Sequence, residues 1–375
     1  MVADTIVTSD FSPIDHARRV AVVQTRLSTG NGCDALLFTD LVDVRWLTGF
    51  TGSNGWAVVR PDGLILGTDG RYGDRARAET ATAGATVHVE TTRAGLHDRL
   101  IEALARATRV GLDPTTTSQA EWTRLAADLT LEPMASLVTA ERQVKDAAEI
   151  ERMAAAAAAA DAALVEVEPL LFATVDSPVT EADIRDELEY RMRRHGADDR
   201  SYETIVASGP DHAARPHHDA TRRTIVEGDT VIVDVGALVD GYHSDMTRSY
   251  VIGEPTEEQR QIYAVVERAQ QAGIESLAPG VTARSVDAAC RDLFTDAGYG
   301  DWYLHGTGHG VGLQIHESPF HSQASEEELV VGNVVTVEPG LYRVGFGGFR
   351  IEDLLVVTES GSRPITNTAP RPFPG

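Results

Sequence analysis

The chain has few of the residues that define disulfide-rich, nucleic-acid-binding or membrane proteins. Only two of its 375 residues are cysteine, and Cys33 and Cys290 form no CxxC pair, which excludes a disulfide framework and a thiolate zinc site. Lysine occurs once, at Lys145, and 57 acidic residues against 33 basic ones give a net charge of −24. Such a surface repels phosphate backbones and anionic lipid, so we expect no nucleic acid and no membrane as partners.

No segment has the pattern of a targeting or membrane-spanning sequence. The N-terminus lacks the apolar core that follows a basic start in a signal peptide. The longest apolar stretch, residues 153–165, is mostly alanine and contains Asp161, so it is too short and too charged to span a bilayer. We therefore expect a cytoplasmic protein, and the length predicts two domains or one large one.

Strand and helix patterns alternate in the first part of the chain, which predicts an α/β domain. The predicted strands are residues 35–39, 55–60, 63–68 and 86–89, and the predicted helices are residues 15–27 and 96–108. A polar stretch at 141–148 leads into a predicted alanine-rich helix over residues 147–171. We place the boundary there, which gives domains 1–140 and 141–375.

The second domain contains an internal repeat. Residues 179–196 match residues 281–298, at an offset of 102, as a helix with a threonine cap and a final glycine. Residues 226–236 match residues 330–340, at an offset of 104, through the pattern V-x-G-[DN]-x-V-x-V-[DE]-x-G. Two ordered matches at nearly the same offset indicate a duplication, which would relate two halves by a pseudo-twofold axis.

Each copy of the repeat carries an acid at the same position, and a second acid follows it across a predicted turn. Asp234 precedes Asp245 across an Asp-Gly turn, and Glu338 precedes Glu352 across a glycine-rich turn. Acids on the two arms of a hairpin can lie a few ångströms apart, where their charges repel unless something neutralises them. Two divalent cations are the simplest neutraliser, and exposure to water is the alternative for any single acid.

Histidines are concentrated in one glycine-rich segment. His305, His309 and His316 lie within twelve residues, and glycine occupies every second position from 306 to 312. These glycines disfavour the helix of an HExxH zinc site, and no glutamate follows the first histidine. An extended strand would instead place His305 and His309 on one face, which favours a ligand or catalytic role. Upstream, the adjacent pair His217 and His218 lies in a predicted loop and is a weaker indication of such a role.

Several motifs, in order along the chain, resemble those of the pita-bread metallopeptidases, in the branch of Xaa-Pro aminopeptidases and prolidases. They are ASGPDHAARPHH, VDVGALVDGYHSDMTRSY, HGTGHGVGLQIHESP, VTVEPGLY and RIED, and DLVDVRWLTGFTGSNG is similar to the N-terminal domain of that branch. The resemblance implies an α/β (α+β) fold, with a creatinase-like α/β domain followed by a pita-bread domain with internal pseudo-twofold duplication.

The resemblance also implies roles for the residues that match the motifs. The ligands of two metal ions are predicted to be Asp234, Asp245, His309, Glu338 and Glu352. The catalytic residues are predicted to be His217, His316, Glu338 and Arg350. The substrate-binding residues are predicted to be His217, His305, His316 and Tyr342. Asp245 and Glu352 would bridge the two ions, and Arg350 would support a bridging acid.

These roles imply a dinuclear metal-dependent exopeptidase that hydrolyses the N-terminal Xaa-Pro bond of short peptides. An oxygen-rich donor set with one imidazole favours Mn²⁺, with Co²⁺ or Zn²⁺ as alternatives. Phe320 stands where some prolidases have an arginine for the dipeptide carboxylate, which favours an aminopeptidase over a strict dipeptidase. A metal-free creatinase-like hydrolase is disfavoured because all five ligand positions are retained.

The resemblance further implies a homodimer to which the N-terminal domain contributes. Trp46 and Phe50 lie in a loop-like, glycine-rich stretch, where they would either belong to the core or contact a partner or the substrate. Trp56, inside a predicted strand, is expected in the core.

Overall fold

The computed structural model describes residues 11–28, 32–135, 137–173 and 177–373. The chain divides into two compact units, of which one is Pro13–Arg142 and the other combines Gln143–Gly375 with Met1–Ser12. Among the described residues, none of the helices combines the length and the apolar character that crossing a bilayer requires.

The first unit is built on a six-stranded mixed sheet in the order β4-β3-β2-β1-β5-β6. Its strands are β1 Ala35–Phe38, β2 Gly55–Arg60, β3 Gly63–Asp69, β4 Thr86–Glu90, β5 Val110–Leu112 and β6 Leu131–Pro133. The helices before, between and after them are α1 His16–Ser28, α2 Leu41–Thr48, α3 Gly73–Glu79, α4 Arg93–Leu104, α5 Gln119–Leu125 and α6 Thr139–Gln143. The four strands that the sequence predicted are all present.

Helix boundaries in this unit follow the capping residues. The helix predicted over 96–108 begins earlier, at Arg93, because the Thr92 side chain accepts a hydrogen bond from the Gly95 N–H. Asp40 caps α2 in the same way, so Trp46 lies in a helix and not in a loop. Trp46 and Phe50 are only 4% and 1% exposed, so of the two alternatives left open by the sequence they belong to the core and do not contact a partner or substrate.

The second unit contains the duplicated halves. Its helices are α7 Ala147–Phe172, α8 Glu181–Arg194, α9 Gly209–His212, α10 Glu257–Ser276 and α11 Ala283–Asp296. The strands of the first half are β7 Asp199–Arg200, β8 Ile205–Ser208, β9 Thr230–Asp234, β10 Ala237–Val239, β11 Tyr242–His243 and β12 Thr247–Val251. Those of the second half are β13 Gly308–Gly310, β14 Glu317–His321, β15 Val334–Val337, β16 Gly340–Arg343, β17 Gly347–Arg350, β18 Asp353–Thr358 and β19 Gly361–Pro364.

The two halves match in local detail. Thr180 caps α8 and forms an isolated bridge with Thr224, and Thr282 caps α11 and forms the same kind of bridge with Glu328. The glycines after the two helices, Gly196 and Gly298, have φ angles of 99° and 82°, as a helix-ending glycine requires. Matched caps, bridges and glycines confirm the predicted internal duplication.

In each half, the two acids lie at the ends of two strands that pair with each other. In the first half β9 pairs with β12, with Asp234 opposite Thr247, and a short hairpin of β10 and β11 fills the chain between them. In the second half β15 pairs with β18, and the hairpin of β16 and β17 occupies the corresponding place. Asp245 and Glu352 each lie just before the second strand of their pair, so all four acids lie at strand ends.

Candidate active site

The acids of both halves line one cavity of about 780 Å³ in the second unit. The predicted site residues in its wall are His217, Asp234, Asp245, His305, His309, His316, Glu338, Arg350 and Glu352. Tyr342 does not line the cavity, but its hydroxyl lies 2.9 Å from Nε2 of His305, and His305 does line it. The structure therefore brings all ten predicted residues into one region.

The acids of the first half share a hydroxyl group. The hydroxyl oxygen of Tyr202 lies 2.5 Å from Oδ1 of Asp234 and 2.5 Å from Oδ1 of Asp245. Nε2 of His309 lies 3.6 Å from Oδ2 of Asp245 and 3.3 Å from Oε1 of Glu338, so it connects the two halves. These distances place donors from both copies of the repeat around a common point.

The electrostatics of the cavity favour a bound cation. Asp245 and Glu352 are buried, and burial together with the nearby acids raises the pKa of both carboxyl groups well above their usual range. With His309 they offer three ligand atoms that lie within 4.8 Å of one another. Buried carboxylates at this spacing are the donor set that hard divalent ions take, so the residues fit the predicted metal.

Arg350 is the main positive charge in the cavity wall, and it binds the first acid. Its Nη2 donates to Oδ2 of Asp234 at 2.6 Å, and its Nη1 donates to the Tyr342 hydroxyl at 2.8 Å. Its Nε donates to the Thr247 hydroxyl at 3.1 Å, and that hydroxyl donates to Oε2 of Glu352 at 2.6 Å. Arg350 thus contacts Asp234 directly and reaches Glu352, which was predicted to bridge two ions, only through Thr247.

The histidines of the site differ in their burial and in the elements that carry them. His309 lies in β13 and is 8% exposed, but the strand covers only Gly308–Gly310 and has a register shift after His309. The predicted longer strand through His305 is therefore wrong, although His305 and His309 both face the cavity. His316 is exposed, and its ring centroid lies 4.4 Å from that of His309. His217 has a 71% exposed side chain, with Asp219 at 3.6 Å.

Burial and neighbouring charges also tune the groups behind the acids. Burial lowers the pKa of His305, and burial together with His309 lowers that of His316, so both rings tend to be neutral at pH 7. Burial raises the pKa of Tyr342 to about 12, although Arg350 opposes the shift. Neutral imidazole rings and protonated phenols can donate hydrogen bonds, which suits groups that face developing negative charge.

A second set of metal-type ligands lies outside the cavity wall. One ligand atom each from Glu181, His212 and His218 also lie within 4.8 Å of one another. The fully buried Glu181 carboxylate already accepts hydrogen bonds from the backbone and hydroxyl groups of Ser208 and Thr221. Nδ1 of His212 is a further partner at 2.9 Å, so this carboxylate is satisfied as a structural hydrogen-bond centre.

Comparison with known proteins identifies the class. Residues 151–359 match the model of metallopeptidase family M24, and residues 19–145 match the creatinase/prolidase N-terminal domain. The chain belongs to metallopeptidase family M24 and is a peptide hydrolase, with a creatinase-like N-terminal domain and a pita-bread domain.

Individual relatives narrow the likeness to Xaa-Pro peptidases. The chain is 38% identical over 344 residues to the uncharacterized peptidase YqhT of Bacillus subtilis, which covers 90% of this chain and 94% of that protein. It is 44% identical over 188 residues to the Xaa-Pro dipeptidase of Pyrococcus furiosus, an alignment that spans 50% of this chain and 54% of the relative.

Solved structures resemble almost the whole chain. The Xaa-Pro dipeptidase from Bacillus anthracis has a TM-score of 0.89 at 32% identity, covering 96% of this chain and 99% of that one. The X-Pro aminopeptidase from Thermotoga maritima has a TM-score of 0.85 at 30% identity, covering 95% and 99%. The fold is therefore common to proteins with dipeptidase and aminopeptidase names.

Proposed function

We propose that this protein is a dinuclear metal-dependent exopeptidase that hydrolyses the N-terminal Xaa-Pro bond of short peptides. The observation that carries the proposal is the convergence of four acids and His309, drawn from both copies of the repeat, on one cavity. The names of the relatives, Xaa-Pro dipeptidase and X-Pro aminopeptidase, support a substrate with proline second.

The proposed metal ligands are the four acids and the histidine that line the same cavity. Two divalent ions would be held by Asp234, Asp245, His309, Glu338 and Glu352. Four carboxylates and one imidazole suit Mn²⁺ best, and Co²⁺ and Zn²⁺ are the alternatives. When bound, such a pair of ions activates a water molecule as the nucleophile and polarises the scissile carbonyl group.

The remaining chemistry belongs to the side chains of the chain itself. Glu338 would take the proton of the attacking water and deliver it to the proline nitrogen that leaves, and the Thr336 hydroxyl orients it by donating to Oε1 at 3.2 Å. His316 and His217, on the exposed side of the cavity, would donate hydrogen bonds to the oxyanion of the substrate. Arg350 holds Asp234 in place through its hydrogen bond.

The lining of the cavity favours an aminopeptidase over a strict dipeptidase. Phe320 and Ile315 form part of its wall, and Phe320 is 44% exposed. Among the described lining residues Arg350 is the one arginine, and it is bound to Asp234. Arg343 is paired with Glu258 outside the lining. A dipeptide carboxylate would therefore find no free guanidinium among the lining residues that the structure describes, whereas a longer peptide needs none.

Hydrolysis assays test the proposal. We expect Mn²⁺-dependent cleavage of Xaa-Pro-Yaa tripeptides, weaker cleavage of Xaa-Pro dipeptides and no cleavage of Xaa-Ala controls. Faster turnover of dipeptides would favour the strict prolidase alternative. The absence of a stoichiometric divalent ion in active protein would contradict the metallopeptidase mechanism.

A further inference from the structure

The one lysine of the chain forms a buried ion pair beside the cavity. Nζ of Lys145 lies 2.6 Å from Oε1 of Glu317, and the two side chains are 1% and 6% exposed. A buried ion pair costs desolvation free energy and is weak support for stability by itself. Its position in the fold therefore matters more than its strength.

Glu317 lies next to both histidines of the cavity. It follows His316 in the chain, and as the first residue of β14 it pairs with Gly310, which follows His309. The rings of His309 and His316 have their centroids 4.4 Å apart. A displacement of the Glu317 carboxylate would therefore move the backbone beside both rings.

Lys145 is held on the other side by regular structure. Its backbone N–H donates to the carbonyl of Gly332 at 2.9 Å, and Val144 before it forms an isolated bridge with Asn333. Asp146 after it caps the long helix α7 with a capping box. The ammonium group therefore projects from a fixed point toward the segment that connects the two histidines.

That segment leaves little room around the ion pair. Gly312 donates its N–H to the carbonyl of Gln314 at 3.0 Å, and its carbonyl accepts from the His243 N–H at 3.0 Å. A Cβ atom on Gly312 would lie 2.6 Å from Oε1 of Glu317 and 3.0 Å from Cε of Lys145. A planar guanidinium is larger than an ammonium group, so this packing explains a lysine in a chain whose other basic residues are arginine.

We propose that Lys145 is a positioning residue for catalysis: its ion pair with Glu317 fixes the segment that carries His316, and so holds the His316 ring against His309. The inference rests on the proposed catalytic role of His316. It assigns Lys145 no contact with substrate or metal, and it predicts that breaking the pair lowers kcat while KM and metal content stay unchanged.

The test varies the charge and the size of the side chain at position 145, and it compares this ion pair with a buried ion pair elsewhere in the chain. The variants are Lys145→Met, Lys145→Arg, the double variant Lys145→Met/Glu317→Gln and His316→Ala. The control is Arg142→Met, which breaks the similarly buried pair of Arg142 with Asp43 in the first unit, where the side chains are 8% and 9% exposed. For each, kcat, KM, metal content and Tm are measured on the full chain.

We expect Lys145→Met to lower kcat by about 10- to 100-fold, the usual cost of a catalytic group displaced by about an ångström. Lys145→Arg should lower kcat less. The double variant, which has no unpaired buried charge, should recover Tm without recovering kcat. Arg142→Met should lose Tm and keep kcat. Should Lys145→Met fail to fold, the double variant gives the same comparison.

Two results would overturn the inference while leaving the proposed function intact. One is a double variant with wild-type kcat, and the other is an Arg142→Met protein that loses as much kcat as Lys145→Met. A His316→Ala protein with wild-type kcat would overturn the role of His316 and the inference with it. The assays therefore separate failure of the positioning role from failure of the histidine assignment.

Discussion

Asp245 lies close to side chains from both halves of the second unit, Tyr202 from the first half and His309 from the second. We expect Asp245→Ala to lose at least one of two divalent ions, and with it the peptidase activity, because the variant removes a proposed ligand of both. Metal analysis and kcat measured on the same sample test this. Asp292→Ala, on the exposed side of α11, is the matched control and should keep both. Full wild-type activity after extensive chelation would contradict the prediction.

His316 separates metal binding from chemistry. We expect His316→Ala to retain its metal and to lower kcat by roughly 10²–10³, the usual loss for one donor to an oxyanion. His195→Ala, whose ring contacts Glu166 on the surface, should leave kcat unchanged. If metal content in His316→Ala falls as far as kcat does, His316 is a ligand and the assignment is wrong.

The raised pKa of Asp245 predicts how the metal-free protein responds to pH. The folded carboxyl holds a proton that the unfolded one, with a pKa of about 3.9, has lost, so the free energy of unfolding decreases as pH rises through the folded value. Asp245→Asn has no proton to lose. In chelated samples we expect the Tm of Asp245→Asn to exceed that of the wild type by a margin that grows as pH rises above the unfolded pKa of about 3.9. A constant margin would contradict the raised pKa.

The short hairpin of β10 and β11 sets the geometry between two of the acids. Its turn residues, Asp240 and Gly241, have φ angles of 45° and 74°, the left-handed conformation of a two-residue hairpin turn. We expect Gly241→Ala to lower the free energy of unfolding by about 1–2 kcal/mol, because a Cβ atom disfavours this region. Urea unfolding measures it, and Gly63→Ala, with open space around its Cβ and no positive φ, is the control. Equal losses in both variants would refute the turn argument.

At the scale of elements, the repeat was the most informative feature of the sequence. It predicted two matched helices with threonine caps and two acid-bearing strand pairs, because caps, glycines and alternating apolar residues are local signals. The strand through His305 and His309 was predicted too long, since alternating glycines allow an extended chain without requiring a ladder. The glycine-rich stretch predicts a loop at Trp46, whereas the Asp40 cap begins a helix that contains it.

Other parts of the site have no local signal. Tyr202, which contacts both Asp234 and Asp245, lies in no recognised motif and is brought to them by the fold. The pair of Lys145 with Glu317 joins residues far apart in the chain. Thr247 lay inside a recognised motif, and its position two residues after Asp245 was the one available indication of its role. Contacts of this kind depend on tertiary packing, which periodicity does not encode.

For the whole molecule, the homodimer stays a prediction, and it no longer has support from Trp46 and Phe50, which are core residues. The family resemblance still leads us to expect a dimer. Light scattering on active protein measures the mass directly, against the 40.3 kDa of one chain. A monomer with full activity would refute the prediction.

A protease that cuts only after lysine finds a single site in this chain, and the lysine at that site is buried. Such an enzyme has one peptide bond to attack in 375 residues, between Lys145 and Asp146. In the folded protein that bond joins Lys145, which follows the bridged residue Val144, to Asp146, the cap of α7. The Lys145 side chain is in the ion pair with Glu317. Cleavage therefore requires this segment to open, and it yields two fragments of unequal size. The rate at which this protease digests the folded, unmodified protein therefore measures how often the segment around Lys145 opens.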